Sequence, residues 1–326
     1  MHALVCRRFA DPPQLAIEEV PEPALRPQTI AIDVHAAGVN FLDSLIVRGT
    51  YQVKPPLPFS PGAEVAGIVS AVGAGVTEFA IGDRAIGMLT YGGFADRAVV
   101  DAASALAIPR GMDFPTAAGF GLTYGTSYHA LVDRARIAPG ERLLVLGAGG
   151  GVGLAAVEIG AALGATVIAA AGSHEKLEAA KSRGATELIE YGAPTFKERL
   201  KEIAGTHGFD VIYDAVGGDY FDAAFRHIAW NGRALVVGFA AGRIPEIPLN
   251  RLLLRSSSVM GVYFGVFAMR EPAHNRANFR ALAELHASGA LRPIVTARYP
   301  LERAAEAIDD LAARKIVGKA IVTLRP

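Results

Sequence analysis

A glycine-rich segment at residues 147–153, GAGGGVG, is the strongest candidate in the chain for binding a phosphate. Tight turns need small residues, a pyrophosphate needs close approach of the backbone, and the start of the next helix offers unpaired N–H groups. The segment follows an apolar strand pattern and opens an apolar helix pattern, which is the context this motif requires. The alternative, a flexible linker, does not need such a context. We therefore predict a dinucleotide-binding loop made of Ala148, Gly149, Gly150, Gly151, Val152 and Gly153.

The choice of dinucleotide depends on Ser173 and Lys176, which follow the next predicted strand. Enzymes that use NAD usually place an acidic residue about 20 residues beyond the loop, where it holds the ribose diol. This chain has Ser173 there, and Lys176 one helical turn later. A hydroxyl and an ammonium at a helix N-terminus would bind a 2′-phosphate that a carboxylate would repel. We predict NADPH as the cofactor; the alternative is that Lys176 is an ordinary solvated helix residue.

Further candidates stand at the ends of later strands. Ligands of open α/β sheets bind in the crevice outside the carboxyl ends of the strands. Tyr191 follows the third predicted strand and could pack on the ribose or adenine, although tyrosines are also common in turns. The remaining candidates, each of which could equally be an ordinary strand-end residue, are Val216, Gly217, Gly238 and Phe239.

The elements that must position these residues alternate from Arg142 onward. Apolar strand-like runs alternate with helix-like segments, as in a parallel sheet covered by helices. The predicted strands are residues 142–147, 165–171, 187–190, 209–216, 233–238 and 258–264. The predicted helices between them are residues 153–163, 174–183 (with Gly184 as a C-cap), 195–203 and 220–230. Six strands predict a Rossmann-type, doubly wound α/β sheet.

The two ends of the chain have a different texture. Residues 1–120 contain short valine- and alanine-rich runs separated by glycine and proline turns, which predicts a twisted, partly barrel-like β domain. The tail predicts helices at 275–287 and 302–314, and a strand at 319–324 that returns to the first domain; residues 240–256 give no clear signal. The predicted domains are a catalytic domain at 1–121, a dinucleotide-binding domain at 122–264 and a return segment at 265–326.

Composition limits the class of protein. A length of 326 residues with 51% hydrophobic residues is enough for two cores. Lys plus Arg equals Asp plus Glu at 32 each, which argues against a dedicated nucleic-acid or anionic-membrane binder. Cys6 is the single cysteine, so neither an intramolecular disulfide nor a cysteine zinc cluster can form. With neither a secretory signal nor an apolar span visible, we expect a cytoplasmic protein that acts on a small molecule.

The chain resembles the medium-chain dehydrogenase/reductase superfamily, and within it the quinone oxidoreductase family, over essentially its whole length. The most specific segments are residues 37–43 (AGVNFLD), 49–59 (GTYQVKPPLPF), 61–67 (PGAEVAG), 82–84, 147–153 and 318–320. The resemblance implies a discontinuous, mainly β, GroES-like catalytic domain beside the Rossmann-type domain. It also implies a contribution of Lys319 to cofactor binding, and a homodimer that pairs through the last strand of the cofactor domain.

Departures from the zinc-dependent members of this superfamily are informative. Those relatives have a zinc-ligating cysteine where this chain has Asn40, and Gly-His-Glu where it has Gly62-Ala63-Glu64. Their four-cysteine lobe has no counterpart between Gly82 and Asp113. Because two of three usual catalytic ligands are missing, we predict that no catalytic zinc binds.

Hydride transfer without a Lewis acid favours acceptors that spread the developing charge over their own π system, such as a quinone or an α,β-unsaturated carbonyl. By resemblance, Asn40, Asp43 and Tyr51 line the cleft near the nicotinamide, and Thr123 enters from the domain junction. Asn40 and the Tyr51 hydroxyl are candidate donors to the acceptor oxygen. Alternatively, Asn40 and Asp43 cap a helix start, and Tyr51 is only packing. Tyr263 and Phe264 could form an apolar wall, or belong to a dimer-edge strand.

Two other functions stay open at this stage. An enoyl-thioester reductase would need a basic patch for coenzyme A, for which only Arg48, Lys54 and Arg270 are suggestive. A non-catalytic NADPH-binding sensor or structural protein would keep the glycine loop equally well. An enzyme is favoured by the cluster that the resemblance implies, which consists of Asn40, Asp43, Tyr51 and Thr123.

Overall fold

The computed structural model describes residues 1–192 and 194–325. The strands are β1 His2–Cys6, β2 Leu15–Glu19, β3 Thr29–Val39, β4 Glu64–Val72, β5 Arg84–Met88, β6 Arg97–Asp101, β7 Ala105–Ala107, β8 Arg142–Leu146, β9 Thr166–Ala171, β10 Ala185–Glu190, β11 Phe209–Asp214, β12 Ile228–Val236, β13 Ser258–Gly261, β14 Val295–Pro300 and β15 Lys319–Thr323. The α-helices are α1 Phe41–Val47, α2 Phe114–Ala117, α3 Gly121–Tyr128, α4 Gly151–Ala162, α5 His174–Lys181, α6 Phe196–Ala204, α7 Gly218–Phe225, α8 Leu249–Arg255, α9 Phe264–Arg270, α10 Pro272–Ala287 and α11 Ala304–Ala312. Within this part of the chain no helix has the length and apolar character needed to cross a membrane.

The chain divides into two compact units. The first unit comprises residues 1–122, 267–279 and 293–326, and the second comprises residues 123–266 and 280–292. The sequence predicts that all of 265–326 completes the first domain, whereas residues 280–292 belong to the second unit. The cause is local: the backbone N–H of Arg292 donates to both oxygens of Glu158 in α4 at 3.2 Å. This bond ties the end of the segment to the second unit.

The second unit is built on six parallel strands in the order β10-β9-β8-β11-β12-β13. In chain order this is 3-2-1-4-5-6, the doubly wound dinucleotide-binding topology, so the predicted Rossmann-type sheet is confirmed. Residues 143–146 of the central strand β8 are completely buried. A strand covered on both faces reads as a continuous apolar run, which is why the pattern was visible in the sequence.

The boundary between the helix predicted at 220–230 and the strand predicted at 233–238 lies earlier in the chain than expected. Helix α7 stops at Phe225, and Trp230, predicted to be helical, lies in β12. Asn231 has a φ of +57°, and the register between β11 and β12 shifts next to it, so a bulge joins two short stretches into one strand.

The other departures concern ends and loops. Strand β13 ends at Gly261, and Phe264 begins α9 instead of ending the strand; Phe264 is buried while Tyr263 is exposed, so the two do not form one apolar wall. Helix α5 ends at Lys181, so Gly184 stands beyond the cap, in a turn with a φ of +109°. The segment without a clear signal contains α8.

The first unit contains a seven-stranded mixed sheet. Its order is β14-β15-β3-β4-β5-β7, with β6 paired to β3, and a separate pair is formed by β1 and β2. The C-terminal strand β15 runs antiparallel to β3, with Ala320 opposite Val39 and Ile321 opposite Gly38. The C-terminal strand therefore returns to the first unit, as predicted, and brings Lys319 to the end of β3.

Candidate functional site

The glycines of the 147–153 loop play different steric roles. Gly150 is the N-cap of α4, with an extended backbone at φ −92° and ψ 173°. A Cβ at Gly150 would find only the Gly147 oxygen, at 3.7 Å, whereas a Cβ at Gly153 would lie 2.0 Å from the same oxygen. Gly153 is therefore required by the packing of the loop itself, while Gly150 leaves an open face at a helix N-terminus, as a pyrophosphate cradle requires.

Lys176 lies across this loop. A Cβ at Gly149 would stand 2.4 Å from the Lys176 Cβ and 2.5 Å from its Cγ, so the lysine stem occupies the space that a side chain would need. Ser173 is the N-cap of α5, and its Oγ accepts the Lys176 backbone N–H at 3.4 Å. The structure thus brings both predicted phosphate-binding residues beside the loop.

Tyr191 also contacts the loop. Its hydroxyl accepts the backbone N–H of Gly147 at 2.8 Å, and its ring stacks on Tyr220 with the centroids 4.1 Å apart. Burial raises the pKa of the Tyr191 hydroxyl, so the group acts as a neutral hydrogen-bonding partner. Tyr220, which no sequence pattern marks as a site residue, supports the ring.

Asp214 joins the two strand-end loops that contain the other predicted cofactor residues. Its buried carboxylate accepts the N–H groups of Val216 and Gly217, both at 2.9 Å. Its backbone oxygen accepts those of Val237 at 2.8 Å and Gly238 at 3.2 Å. Burial raises the pKa of Asp214 to about 6. The only sequence signal for this role was a carboxylate ending an apolar parallel strand.

The loops after β11 and β12 also touch each other and the glycine loop. A Cβ at Gly217 would lie 3.2 Å from the Phe239 ring, and one at Gly147 would lie 3.0 Å from the Val216 side chain. Thirteen of the fourteen predicted cofactor residues therefore belong to one region of the second unit, the exception being Lys319, which lies in the first unit.

Lys319 forms a buried polar network in the first unit. Its Nζ donates to Asn40 Oδ1 at 2.6 Å and to Glu64 Oε2 at 3.2 Å. The other oxygen of Glu64 accepts the Leu122 N–H at 2.8 Å, and Asn40 Nδ2 donates to the Gly38 oxygen at 3.1 Å. Burial raises the pKa of Glu64 and the Lys319 ammonium opposes the rise. The pairing of Glu64 with Lys319 was not predicted, because 255 residues separate the partners.

The other predicted catalytic residues have separate surroundings. Asp43 is fully buried; Oδ2 accepts the Asn40 N–H at 2.7 Å and Oδ1 accepts the Gly62 N–H at 3.1 Å. Asp43 therefore fixes the start of α1, which is the capping role left open above. Tyr51 is half-buried and packs against the apolar core of the first unit. Thr123 is buried in α3 and belongs to the second unit.

The residues at the position of the superfamily's catalytic zinc do not fit that ion. Ala63 has no ligand atom, Asn40 Oδ1 accepts from the Lys319 ammonium, and Glu64 is ion-paired with the same group. Throughout residues 1–192 and 194–325, no group of three or more His, Cys, Asp or Glu side chains is arranged to hold a metal ion.

The buried Asp43 predicts a pH-dependent stability. Burial raises its pKa from 3.8 to about 7, against the opposing effect of two backbone N–H groups and Lys319. A group whose pKa is higher in the folded protein than in the unfolded chain stabilises the fold. This stabilisation is complete below the pKa of the unfolded chain and is lost as the pH rises through the pKa of the folded protein. The contribution of Asp43 should therefore disappear between about pH 4 and about pH 7.

Urea unfolding of the wild type and of Asp43→Asn across this range measures the effect. The variant loses one backbone hydrogen bond at every pH, but it does not titrate. We expect the wild-type free energy of unfolding, relative to that of the variant, to fall by on the order of 4 kcal/mol as the pH rises. Parallel pH profiles for the two proteins would contradict the assignment.

Comparison with known proteins adds to this geometry. Two family models match: the alcohol dehydrogenase GroES-like domain over residues 26–110, and zinc-binding dehydrogenase over residues 151–288. The chain is 38% identical to quinone oxidoreductase-like protein 2 of Rattus norvegicus over 324 residues, covering 99% of this chain and 92% of that protein. It is 33% identical to the quinone oxidoreductase of Homo sapiens, covering 95% and 94% respectively.

Solved structures agree with the sequence relatives. The Escherichia coli quinone oxidoreductase complexed with NADPH superimposes with a TM-score of 0.91 at 28% identity, over 99% of this chain and 100% of that one. The Thermus thermophilus quinone oxidoreductase, solved alone and with NADPH, gives 0.85 at 32% identity, over 99% and 100%.

Proposed function

Because the chain belongs to the quinone oxidoreductase family of the medium-chain dehydrogenase/reductase superfamily, we propose that it transfers a hydride from NADPH to a quinone or an α,β-unsaturated carbonyl without a catalytic zinc ion. The observation that carries the proposal is the Lys319 ammonium, which is bound to Asn40, where zinc-dependent relatives have a ligating cysteine, and to Glu64, next to Ala63, where they have a histidine. An ammonium held there competes with a divalent cation for the same oxygens.

NADPH is supported by the fit of the second unit and by its presence in the Escherichia coli and Thermus thermophilus relatives. When bound, NADPH supplies the hydride, and the protein supplies binding, orientation and exclusion of water. The open face of Gly150 suits the pyrophosphate, and Lys176 with Ser173 suits the 2′-phosphate. Tyr191, Val216, Gly217, Gly238 and Phe239 would line the remainder of the cofactor site.

Lys176→Ala is expected to weaken NADPH binding about 10- to 100-fold and NADH binding little, because a charge-assisted bond to the 2′-phosphate is lost. Titration calorimetry with each cofactor measures both affinities. Lys181→Ala removes an exposed lysine from the end of the same helix and should change neither. Equal losses for the two cofactors in Lys176→Ala would exclude the proposed preference.

The acceptor class follows from the groups available in the first unit. Hydrogen-bond donors are the groups that we expect to face a developing oxyanion, and donors suffice when the acceptor spreads its own charge. Asn40 is partly exposed and has an amide that can donate, and the Tyr51 hydroxyl is a second candidate. An unactivated ketone would need stronger stabilisation of the alkoxide. Asp43 contributes by holding α1, and the role of Thr123 remains the one that the family resemblance implies.

A panel of acceptors tests the proposal. NADPH oxidation would be followed with a benzoquinone, a naphthoquinone, an aliphatic enone, crotonyl-coenzyme A and a plain ketone. Turnover of the conjugated acceptors without the ketone is the expected result, unchanged after treatment with a chelator. Tight NADPH binding with no turnover of any of them would favour the non-catalytic sensor or structural protein instead.

The enoyl-thioester alternative has less support than a quinone or enone. Of the basic residues that might bind coenzyme A, Arg48 is already ion-paired with Asp11 at 3.1 Å and Asp309 at 3.5 Å. Lys54 and Arg270 are exposed and remain available. Preferred turnover of crotonyl-coenzyme A in the panel would reverse this order.

We also propose a homodimer through β13. This strand stands at the end of the six-stranded sheet, with no further strand beside it among the described residues. Large apolar side chains are exposed on and before it: Leu249 at 77%, Leu253 at 80%, Leu254 at 70% and Val259 at 36%. An apolar edge of this kind is typical of a surface that another strand covers.

The double variant Leu253→Lys/Val259→Lys is expected to be monomeric where the wild type is dimeric, because charges on the edge oppose strand pairing. Light scattering after size-exclusion chromatography gives both masses. Ile81→Lys changes an equally exposed apolar residue of the first unit (71%) and should leave the mass unchanged. A monomeric wild type would refute the dimer.

A further inference from the structure

The Lys319–Glu64 ion pair is enclosed by backbone. Glu64 is completely buried and Lys319 is 5% exposed. A Cβ at Gly38 would lie 2.1 Å from the Ala118 oxygen and 2.7 Å from Glu64 Oε2. One at Gly119 would lie 2.8 Å from Lys319 Cγ. Glycines thus allow the backbone to close around the pair, which has Asn40 as its partly exposed neighbour.

This enclosure fixes the orientation of the Asn40 amide. An ammonium has only donors, so the atom 2.6 Å from Lys319 Nζ must be the amide oxygen. The amide nitrogen is consequently held on the other side, where one N–H donates to the Gly38 oxygen at 3.1 Å. The nitrogen has only a 3.5 Å contact with Glu64, too long for a strong bond, which leaves its other N–H able to donate to an acceptor in the plane of the amide.

The charge of Lys319 also changes the donor strength of Asn40. A cation on the oxygen of an amide draws electrons from the nitrogen, and linked hydrogen bonds in a low-dielectric interior strengthen one another. Glu64 holds the ammonium in place and keeps its burial tolerable. Because both members of the pair are buried, Asn40 is the route by which their charges would influence a ligand.

We propose that the Lys319–Glu64 pair is a positioning device that orients and polarises Asn40 for donation to the acceptor oxygen; this inference rests on the proposed function. In the reaction, the hydride adds to the conjugated acceptor and the electron pair of its π bond moves to the oxygen. The Asn40 N–H stabilises that oxyanion until a solvent proton arrives. The ion pair makes and breaks no covalent bond.

The test compares the wild type with Lys319→Met/Glu64→Gln, which removes both charges and leaves no unpaired buried ion. The expected loss in kcat is about 10- to 100-fold for a weakly electrophilic enone, the order of one oxyanion donor or somewhat less. For an electron-poor benzoquinone, which needs less stabilisation, the loss should be several-fold smaller. The Kd of NADPH, measured beside kcat, reports any contribution of Lys319 to cofactor binding, and the thermal unfolding of the two proteins should be similar.

A double-mutant cycle separates action through Asn40 from a structural effect. In an Asn40→Ala background, the substitutions Lys319→Met/Glu64→Gln should cause little further loss of kcat, because the Asn40 amide on which the ion pair acts is absent. If the charge-removing variant does not fold, Asn40→Asp serves instead: it keeps an oxygen for Lys319 but has no N–H, and it should show the same dependence on acceptor electrophilicity.

The outcomes are distinct. Equal losses for every acceptor, or full additivity with Asn40→Ala, would overturn the inference and leave the proposed function standing. A weakened NADPH affinity with unchanged kcat would assign Lys319 to cofactor binding instead. A wild type that reduces no acceptor in the same assay would remove both the proposed function and this inference.

Discussion

Gly150→Ala is expected to weaken NADPH binding at least about 100-fold in a protein that remains folded, because it would block two proposed charge-assisted bonds to the pyrophosphate, at about 1.5–3 kcal/mol each. The backbone at Gly150 is extended, and a Cβ there would contact only the Gly147 oxygen, at 3.7 Å. The new methyl group would therefore occupy the open space that we propose for the pyrophosphate. Calorimetric titration gives the affinity, and thermal unfolding gives the stability.

Gly153→Ala is the matched control for this experiment. The same methyl group, three residues later, would lie 2.0 Å from the Gly147 oxygen and 2.9 Å from the Ala148 Cα. The loop must move to accept it, at an expected destabilisation of about 3 kcal/mol. A Gly150→Ala protein that binds NADPH normally would show that the pyrophosphate does not approach this face.

Glu64→Ala is expected to lower the free energy of unfolding by about 3–5 kcal/mol, because it leaves the Lys319 ammonium buried without a counter-charge. It also removes the acceptor of the Leu122 N–H. Urea unfolding monitored by circular dichroism provides the measurement. Adding Lys319→Met should recover much of the loss, since the orphaned charge is then gone.

An exposed ion pair provides the comparison. Lys315 binds Asp310 at 2.8 Å, shorter than the Lys319–Glu64 contact, but its side chain is largely solvated. Lys315→Ala should therefore have little effect on the free energy of unfolding. Similar effects of Glu64→Ala and Lys315→Ala would mean that water reaches the Lys319–Glu64 pair.

Local patterns predicted the second unit well. The buried strand β8, the glycine loop and the start of α4 are adjacent in the chain, and each carries its own periodicity or turn signal. The mistake at Trp230 has a local cause as well: a bulge at Asn231 breaks the alternation that would have marked a strand. Such positions look irregular in the sequence because the backbone is irregular there.

The contacts of the candidate site were less predictable. Lys319 and Glu64 meet only because β15 and β4 both pair with β3, and no short-range pattern reports a contact between such distant residues. The contacts of Asp214 were equally hard to predict, because the hydrogen bonds that its backbone oxygen accepts from Val237 and Gly238 depend on the neighbouring strand. The charged side chains of these residues suggested a polar role, but their bonding partners could be known only from the fold.

The placement of Lys319 on the C-terminal strand has a consequence for biogenesis. The ribosome makes β3 and Glu64 early, yet the strand that completes their sheet and supplies the counter-charge is made some 255 residues later. The second unit likewise waits for residues 280–292. A nascent or prematurely terminated chain therefore has Glu64 without its counter-charge and β3 with an open edge, features that expose incomplete chains to aggregation and to surveillance by chaperones and proteases.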